Sequence, residues 1–191
     1  MKAIRTAKRA LFTGAALVAT VSGVLAAPAA HAGSQPTAGA SAAARQDGVR
    51  TAAYVGTNVL RNWETGRCLD SNAQGDVYTL PCSLPVGSNA HQVWEPLLRG
   101  KDPSADIVGL RNVATNRCAA FRYPANITTV PCSATVTAQQ WFAYGAGWDN
   151  VTFVSRGGPI GGPDTIDSDR NGNVYAYTRN GGGFQRWKFG Y

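Results

Sequence analysis

Two segments of the chain carry the same residue types in the same register. Residues 69–82 read LDSNAQGDVYTLPC and residues 166–179 read IDSDRNGNVYAYTR, so that Asp, Ser, Gly, Val and Tyr coincide. A carboxylate can accept two hydroxyl hydrogen bonds at once, and an aromatic ring can pack on an apolar ligand face. The repeated Asp and Tyr therefore indicate a binding site that occurs twice. The alternative is that each Asp only caps a turn.

The elements that hold these residues are framed by cysteines. The four cysteines form two neighbouring pairs, each with the same separation of 13 residues. Four cysteines allow three pairings, and spacing alone does not choose among them. When the third repeat is aligned with the first, Thr165 and Arg179 replace both members of one pair, and loss in pairs is typical of bonded partners. A metal site is disfavoured, because its ligands would lie at shorter spacing or include histidines. We therefore expect the disulfides Cys68–Cys82 and Cys118–Cys132.

A period of about 46 residues runs through this part of the chain. The motif Gln-x-Trp occurs three times, and its tryptophans, Trp94, Trp141 and Trp187, are 47 and 46 residues apart. The repeats are expected at roughly 54–100, 101–146 and 147–191. One repeat cannot bury its apolar face alone, so we expect the three tryptophans at equivalent positions in a shared core.

Each repeat alternates short apolar pieces with turn residues. Pieces such as NVL, RCLDS, DVYTL and QVWEPL are typical of strands, and ETGR, AQGD and RNGN are typical of turns. Asn171-Gly172 is a strong hairpin signal. No window of a dozen residues has a helical period. Four strands in each of three repeats predict an all-β domain with pseudo-threefold symmetry.

The amino-terminal part has a different composition. Residues 1–32 combine a basic start, an apolar stretch and the small-x-small sequence AHA, which predicts a secretory signal peptide. A membrane anchor is the alternative, but Thr, Ser and Gly interrupt the apolar stretch. Residues 33–53 are rich in Ala, Ser and Gly and predict a flexible linker. Residues 54–191 have a single-domain length, and we expect a secreted protein whose disulfides form under oxidising conditions.

The charge balance is mild once the predicted signal peptide is removed. The whole chain has 18 basic and 11 acidic residues, and the signal peptide supplies four of the basic ones, which leaves 14 − 11 = +3. A nucleic-acid partner is not expected, because such proteins carry a basic stripe. No later stretch is apolar enough for membrane insertion.

The threefold Gln-x-Trp motif, the N-x-x-T-G-x-C-L-D segment and the Cys loops resemble the ricin-B-type β-trefoil lectins. Within that family, the two repeated segments are most similar to the actinohivin-like lectins of actinomycetes. The resemblance covers about residues 58–191. It implies a six-stranded barrel capped by three hairpins, with a shallow sugar site in each repeat. It also implies glycans or cell-surface polysaccharide as partners, with mannose-type glycans first among them.

The third repeat holds the most complete set of sugar-binding residue types. Asp167 is expected to accept two sugar hydroxyls, and Tyr175 to contribute its ring and hydroxyl. Asn180 supplies an amide, and Phe184 a platform for the apolar sugar face. In the family the Phe184 position is commonly an aromatic residue with a polar handle, so this site keeps the ring and loses one hydrogen bond.

The other two repeats depart from that pattern to different degrees. The first repeat keeps the acid and the tyrosine and changes the remaining two types, which predicts a weaker site at Asp70, Tyr78, Ser83 and His91. The second repeat has lost the acid, the tyrosine and the aromatic platform together. It is expected to bind no sugar and to serve as scaffold, with Ala120, Thr128, Ser133 and Ala138 at the four positions.

Catalysis is not expected, and neither a cofactor nor a metal is implied. His91 is the only histidine after the signal peptide, so a nucleophile would lack an obvious base. A glycosidase needs two carboxylates flanking a cleft, whereas Asp167 and Asp169 stand two residues apart and Asp70 has no such neighbour. The competing interpretation is a non-catalytic cell-binding or adaptor subunit of a secreted toxin complex that docks on a protein partner, because the fold itself does not decide function.

Overall fold

The computed structural model describes residues 56–191. The predicted signal peptide, the predicted linker and the first two residues of the predicted domain, Tyr54 and Val55, lie outside the described residues. Within 56–191 the chain forms strands joined by turns and three short 3-10 helices, at Ala90–Gln92, Thr137–Gln139 and Gly183–Gln185. The all-β prediction is confirmed for this part of the chain.

The strands fall into three sets of four, one set for each repeat of the sequence. The first set is β1 Asn58–Asn62, β2 Cys68–Ser71, β3 Val77–Leu80 and β4 Val93–Asp102. The second is β5 Ala105–Asn112, β6 Arg117–Arg122, β7 Asn126–Pro131 and β8 Trp141–Gly147. The third is β9 Asn150–Ser155, β10 Pro163–Ser168, β11 Val174–Thr178 and β12 Trp187–Phe189.

The first and last strands of each set close a barrel. Antiparallel pairing runs from β1 to β4, β5, β8, β9 and β12, and β12 pairs with β1 again. The middle strands of each set pair with each other as hairpins β2–β3, β6–β7 and β10–β11. A six-stranded barrel with three hairpins is the β-trefoil fold.

The three hairpins also meet one another with threefold regularity. One backbone hydrogen bond of the same kind joins each neighbouring pair: Thr79 N to Gly172 O at 2.8 Å, Thr129 N to Gly75 O at 2.7 Å and Ala176 N to Ala125 O at 2.7 Å. Gly172 has φ +99° and a Cβ there would lie 2.7 Å from the Thr79 carbonyl oxygen, so this turn requires glycine.

The core lies where the three repeats meet. Trp94, Trp141 and Trp187 are each 0% exposed and belong to one hydrophobic cluster. Their indole nitrogens donate to equivalent carbonyls, those of Leu69 (2.9 Å), Ala119 (3.1 Å) and Ile166 (3.4 Å). Each tryptophan therefore fixes the second strand of its own repeat, one residue before the position of Asp70, Ala120 or Asp167.

Two disulfides close the β2–β3 and β6–β7 units. They are Cys68–Cys82 and Cys118–Cys132, with Cα–Cα distances of 5.0 and 4.9 Å, and these are the pairs that the repeat alignment indicates. Such bonds are compatible with an oxidising, extracellular environment. Within residues 56–191 no helix has the length and apolar character needed to span a bilayer.

Candidate functional site

The repeated acid and tyrosine face each other across a hairpin. Asp70 on β2 is paired with Tyr78 on β3, and Asp167 on β10 is paired with Tyr175 on β11. Directly opposite residues of an antiparallel pair carry their side chains on the same face. The structure therefore brings each predicted acid together with its predicted tyrosine, in the first and third repeats.

Both carboxylates lie in a buried environment. Asp70 is 2% exposed and Asp167 is 4% exposed. Burial raises the pKa of Asp167, while a hydrogen bond from Gln185 and one from the Ser168 backbone oppose the shift. A carboxylate this buried offers a ligand only a small part of its surface. Bidentate acceptance of two sugar hydroxyls therefore stays a prediction.

The two tyrosines form the more accessible half of each pair. Tyr78 and Tyr175 are half-buried. Partial burial raises the pKa of both phenols, and the negative charge of Asp70 or Asp167 raises it further. A hydrogen bond to Asp70 adds to the shift of Tyr78. Each phenol thus stays protonated and keeps an O–H group for hydrogen bonding.

The glutamine of the Gln-x-Trp motif positions the third-repeat site. Gln185 Nε2 donates to Asp167 Oδ2 at 2.9 Å and to the Thr178 carbonyl at 3.0 Å, and its Oε1 accepts from Asn180 N at 2.8 Å. One buried side chain therefore ties the acid to both sides of the β11–β12 loop. Sequence reasoning missed this role, although the threefold recurrence of Gln was the signal that could have revealed it.

The equivalent glutamines hold the same loop in the other repeats. Gln92 accepts from Ser83 N at 2.8 Å and donates to the Pro81 carbonyl at 3.1 Å. Gln139 accepts from Ser133 N at 2.7 Å and donates to the Pro131 carbonyl at 3.1 Å. The loop clamp is therefore a property of the fold, whereas the bond from Gln185 to an acid belongs to the third repeat.

Asn180 and Phe184 occupy the loop that Gln185 clamps. Asn180 is exposed, and its Oδ1 accepts from Gly182 N at 2.7 Å. Phe184 is half-buried, and the Arg170 guanidinium carbon lies 6.0 Å from its ring centroid. A sugar that uses Phe184 as its platform therefore also meets a cation at this edge of the site.

The first repeat replaces the platform by a fixed imidazole. Nδ1 of His91 lies 2.6 Å from the Ser71 carbonyl oxygen and donates to it, because a carbonyl can only accept. In the neutral ring, Nε2 is then an acceptor. Ser83 and His91 are both half-buried, so the first repeat presents a polar ring where the third presents Phe184.

The second repeat shows what the scaffold needs at these positions. Ala120 is opposite Thr128 in the same register that pairs Asp70 with Tyr78. Ala120 is 2% exposed, so the fold fills this position with a methyl group. Ser133 and Ala138 are half-buried and complete a surface without an acid, a phenol or an aromatic platform.

The backbones of Phe184 and His91, at the predicted platform position, are each held by an asparagine of another repeat, a contact that sequence reasoning also missed. Asn62 Nδ2 donates to the Phe184 carbonyl at 2.8 Å, and Asn112 Nδ2 donates to the His91 carbonyl at 2.7 Å. These asparagines belong to the LRN sequence that opens the first and second repeats. The recurrence of LRN in two repeats was the signal that could have revealed this shared role.

Comparison with solved structures agrees with this description of the fold. The chain is similar to ThreeFoil, a designed threefold-symmetric protein, with a TM-score of 0.54 and 17% identity over 71% of this chain and 98% of that one. It is also similar to part of the endo-β-galactosidase of Clostridium perfringens that releases GlcNAcα1-4Gal, with a TM-score of 0.55 and 17% identity over 70% of this chain. The match takes in 32% of that enzyme. At this identity the comparisons establish a β-trefoil protein and nothing finer.

No protein-family model matches the sequence, and no curated protein matches it either.

Proposed function

We propose that the protein is a secreted lectin of the ricin-B type that binds sugar hydroxyls through its first and third repeats. Mannose-type glycans are the first ligands to test, following the actinohivin-like sequence of these repeats. The proposal is carried by one observation: a buried acid faces a tyrosine in the first and third repeats, whereas the second repeat has Ala120 at the position of the acid.

The physical reason is the cost of burying a carboxylate. A buried ionised group loses hydration that hydrogen bonds only partly replace. Ala120, at 2% exposure, shows that the same scaffold position accepts a methyl group. The fold therefore does not need Asp70 or Asp167, and keeping a costly group at two of three equivalent positions supports a role in binding.

The environment of Asp169, the acid nearest to Asp167 in the sequence, favours binding over catalysis. The Asp169 carboxylate accepts from Asn171 N, Asn173 N and Asn173 Nδ2 at 2.9, 2.9 and 2.7 Å. These bonds lower the pKa of Asp169, so it holds a turn as a carboxylate and is a poor proton donor.

A glycan array tests the proposal. Wild type, Asp70→Ala, Asp167→Ala and the double variant are compared on mannose-type and other neutral glycans. Loss of a charge-assisted hydrogen bond costs about 1.5–3 kcal/mol, so we expect at least a tenfold weaker signal for Asp167→Ala and a smaller loss for Asp70→Ala.

The matched control is Thr128→Ala in the second repeat, which should leave the glycan signal unchanged. Full binding by the double variant would refute the lectin assignment. Absence of any glycan signal, together with co-purification of another secreted chain, would instead support the adaptor function.

A further inference from the structure

Two cations stand directly opposite each other where the first and last strands meet. In the β1–β12 pair, Arg61 is the register partner of Lys188. Like charges at directly opposite positions repel and destabilise a sheet. Stability of the sheet therefore does not explain why two cations stand opposite each other here.

The pseudo-threefold symmetry supplies an internal comparison. Lys188 follows the tryptophan of its Gln-x-Trp motif, and the residues at the equivalent positions are Glu95 and Phe142. Glu95 is paired with Arg111 and forms an ion pair with it. The third such pair is apolar, between Phe142 and Val154. The barrel thus accepts an ion pair or two apolar residues at this position, and only the β1–β12 seam has two cations.

Exposed aromatic residues surround these cations. Trp63 is 51% exposed and Tyr191 is 57% exposed. The Arg186 guanidinium carbon lies 5.6 Å from the Trp63 ring centroid, and that of Arg61 lies 5.0 Å from the Tyr191 ring centroid. We call the set Arg61, Trp63, Arg186, Lys188 and Tyr191 the seam cluster.

The seam cluster has the features of a built site. A cleft of about 280 Å³ is lined by Arg61, Asn62, Trp63 and Lys188. The indole nitrogen of Trp63 donates to the Asp149 carbonyl at 3.0 Å, which fixes the exposed ring. Nε of Arg186 is buried and has no acceptor among residues 56–191. Cationic donors beside a fixed aromatic ring suit an anion attached to a flat, partly apolar ligand.

The acid that neighbours this cluster in the sequence has another cationic partner. Glu64 Oε1 lies 3.4 Å from the Arg170 guanidinium. Nε of Arg61 donates to the Gly66 carbonyl at 3.0 Å, which orients the guanidinium without neutralising its charge. Among residues 56–191 no carboxylate forms an ion pair with Arg61 or Lys188, so both positive charges can attract a negative group from outside.

We propose that the seam cluster is a second binding site, which takes an acidic sugar unit of an anionic polysaccharide. The carboxylate or sulfate of that sugar pairs with Arg61 and Lys188, and its ring packs against Trp63. A small cleft and a net charge of 14 − 11 = +3 after residue 32 do not provide the basic stripe that a nucleic-acid backbone requires. The site lies on the barrel strands β1 and β12, whereas the Asp–Tyr pairs lie on the hairpin strands, and it uses none of the residues of those pairs. Asn62 links the two regions, because it lines the cleft and donates to the Phe184 carbonyl at 2.8 Å.

Calorimetric titration of the full chain at low salt tests this site with two probes, an oligogalacturonate and a heparin-derived oligosaccharide. The variant Lys188→Glu places at the seam the same Glu–Arg pair that Glu95 and Arg111 form. We expect it to bind both probes at least tenfold more weakly than wild type and to unfold at a higher temperature. Arg122→Glu, an exposed position in the second repeat, is the control with the same change in charge, and it should stay within twofold of wild type.

Several outcomes would overturn the proposal. No binding of either probe by wild type, or equal losses in Lys188→Glu and Arg122→Glu, would show that no specific site exists. Tighter binding of a single-stranded oligonucleotide than of both saccharides would show that the partner class is wrong. Lys188→Gln, which avoids a charge reversal, should also weaken binding, and retained affinity in this variant would count against the site.

The two saccharide probes distinguish carboxylate from sulfate recognition. Neutral-glycan binding, measured on the same Lys188→Glu protein, should remain at the wild-type level. Failure at the seam is therefore distinguishable from failure of the Asp–Tyr sites.

Discussion

Asp167 and Asp169 lie two residues apart and have pKa shifts of opposite direction. Burial raises the pKa of Asp167, whereas hydrogen bonds from Asn173 lower the pKa of Asp169. The folded state therefore binds a proton on Asp167 more tightly than the unfolded chain does, and a proton on Asp169 less tightly. Linkage converts these shifts into opposite effects of pH on stability.

Asp167→Asn should increase the free energy of unfolding at neutral pH. The stability that Asp167 contributes is fully present below its ordinary pKa of 3.8 and is lost as the pH rises through its raised folded pKa. An amide cannot ionise and avoids that loss. The advantage over wild type should therefore disappear below about pH 3.8, which urea unfolding at a series of pH values would measure.

Asp169→Asn is the matched variant and should behave in the opposite way. The contribution of Asp169 is present above its ordinary pKa of 3.8 and is lost as the pH falls through its lowered folded pKa. The variant should therefore be less stable than wild type at neutral pH and approach it in acid. The same direction of change in both variants would contradict the assigned environments.

For single residues, the sequence predicts which side chains face each other across a hairpin better than it predicts how buried they are. The pairing of Asp167 with Tyr175 follows from a hairpin centred on Asn171-Gly172, a local signal. Buried Asp167 also accepts a hydrogen bond at 2.9 Å from Gln185, which lies in a 3-10 helix eighteen residues later in the chain. A contact of that kind has no local pattern, so the environment of Asp167 could not be predicted.

The three hairpins share one register, although only two have a disulfide. Cys68 is paired with Leu80 on β2–β3, and Thr165 is paired with Tyr177 at the equivalent position on β10–β11. Arg179 stands where the first repeat has Cys82, and its guanidinium carbon lies 4.4 Å from the Tyr144 ring centroid. The third hairpin therefore keeps the register of the disulfide-bonded hairpins at Thr165, and Arg179 makes a cation–π contact where they have a cysteine.

Thr165→Cys combined with Arg179→Cys should form a third disulfide. A loop of about 15 residues stabilises by about 3 kcal/mol in the chain-entropy model, and losing the cation–π contact costs about 0.5–1 kcal/mol. We expect a net gain of about 2 kcal/mol in urea unfolding.

The control for this prediction is Thr165→Ala with Arg179→Ala, which removes the same side chains without a bond. A thiol assay under denaturing conditions should find no free cysteine in the disulfide variant. Two free thiols, or a stability equal to that of the control, would show that the third hairpin differs from the first two.

Strands were predictable because their signals are local. The piece NVL falls within β1, and the piece DVYTL covers β3 and the one residue before it. Gly172 adopts the positive φ that the Asn-Gly signal predicts. The three 3-10 helices were not predictable, because a turn of three residues has no period. Asn171 is not at positive φ; the turn is held by Asp169, which accepts from Asn171 N at 2.9 Å.

Over the three repeats, the residues that maintain the fold differ from the residues to which we assign binding. The tryptophans, the motif glutamines and the backbone hydrogen bonds between neighbouring hairpins recur in all three repeats and maintain the fold. The acid–tyrosine pairs occur in two repeats, and the cation pair occurs at one seam. Differences between equivalent positions therefore mark the residues that the scaffold does not require, and these are the residues to which we assign binding.

The two proposed neutral-sugar sites on one domain should make binding depend on glycan density. When one site is occupied, the second meets sugars of the same surface at a high effective concentration, and avidity can exceed single-site affinity by about 10²–10⁴. On a densely coated mannan surface, wild type should bind at least about 10²-fold more tightly than Asp70→Ala or Asp167→Ala. On a sparse surface, or with a soluble oligosaccharide, wild type should match its tighter-binding single variant within a few-fold.

Surface plasmon resonance at two coating densities measures this, with Thr128→Ala as the control that should keep the dense-surface advantage. If wild type showed no dependence on density while both single variants bound, the two repeats would not engage one surface together, and one functional site would account for all binding.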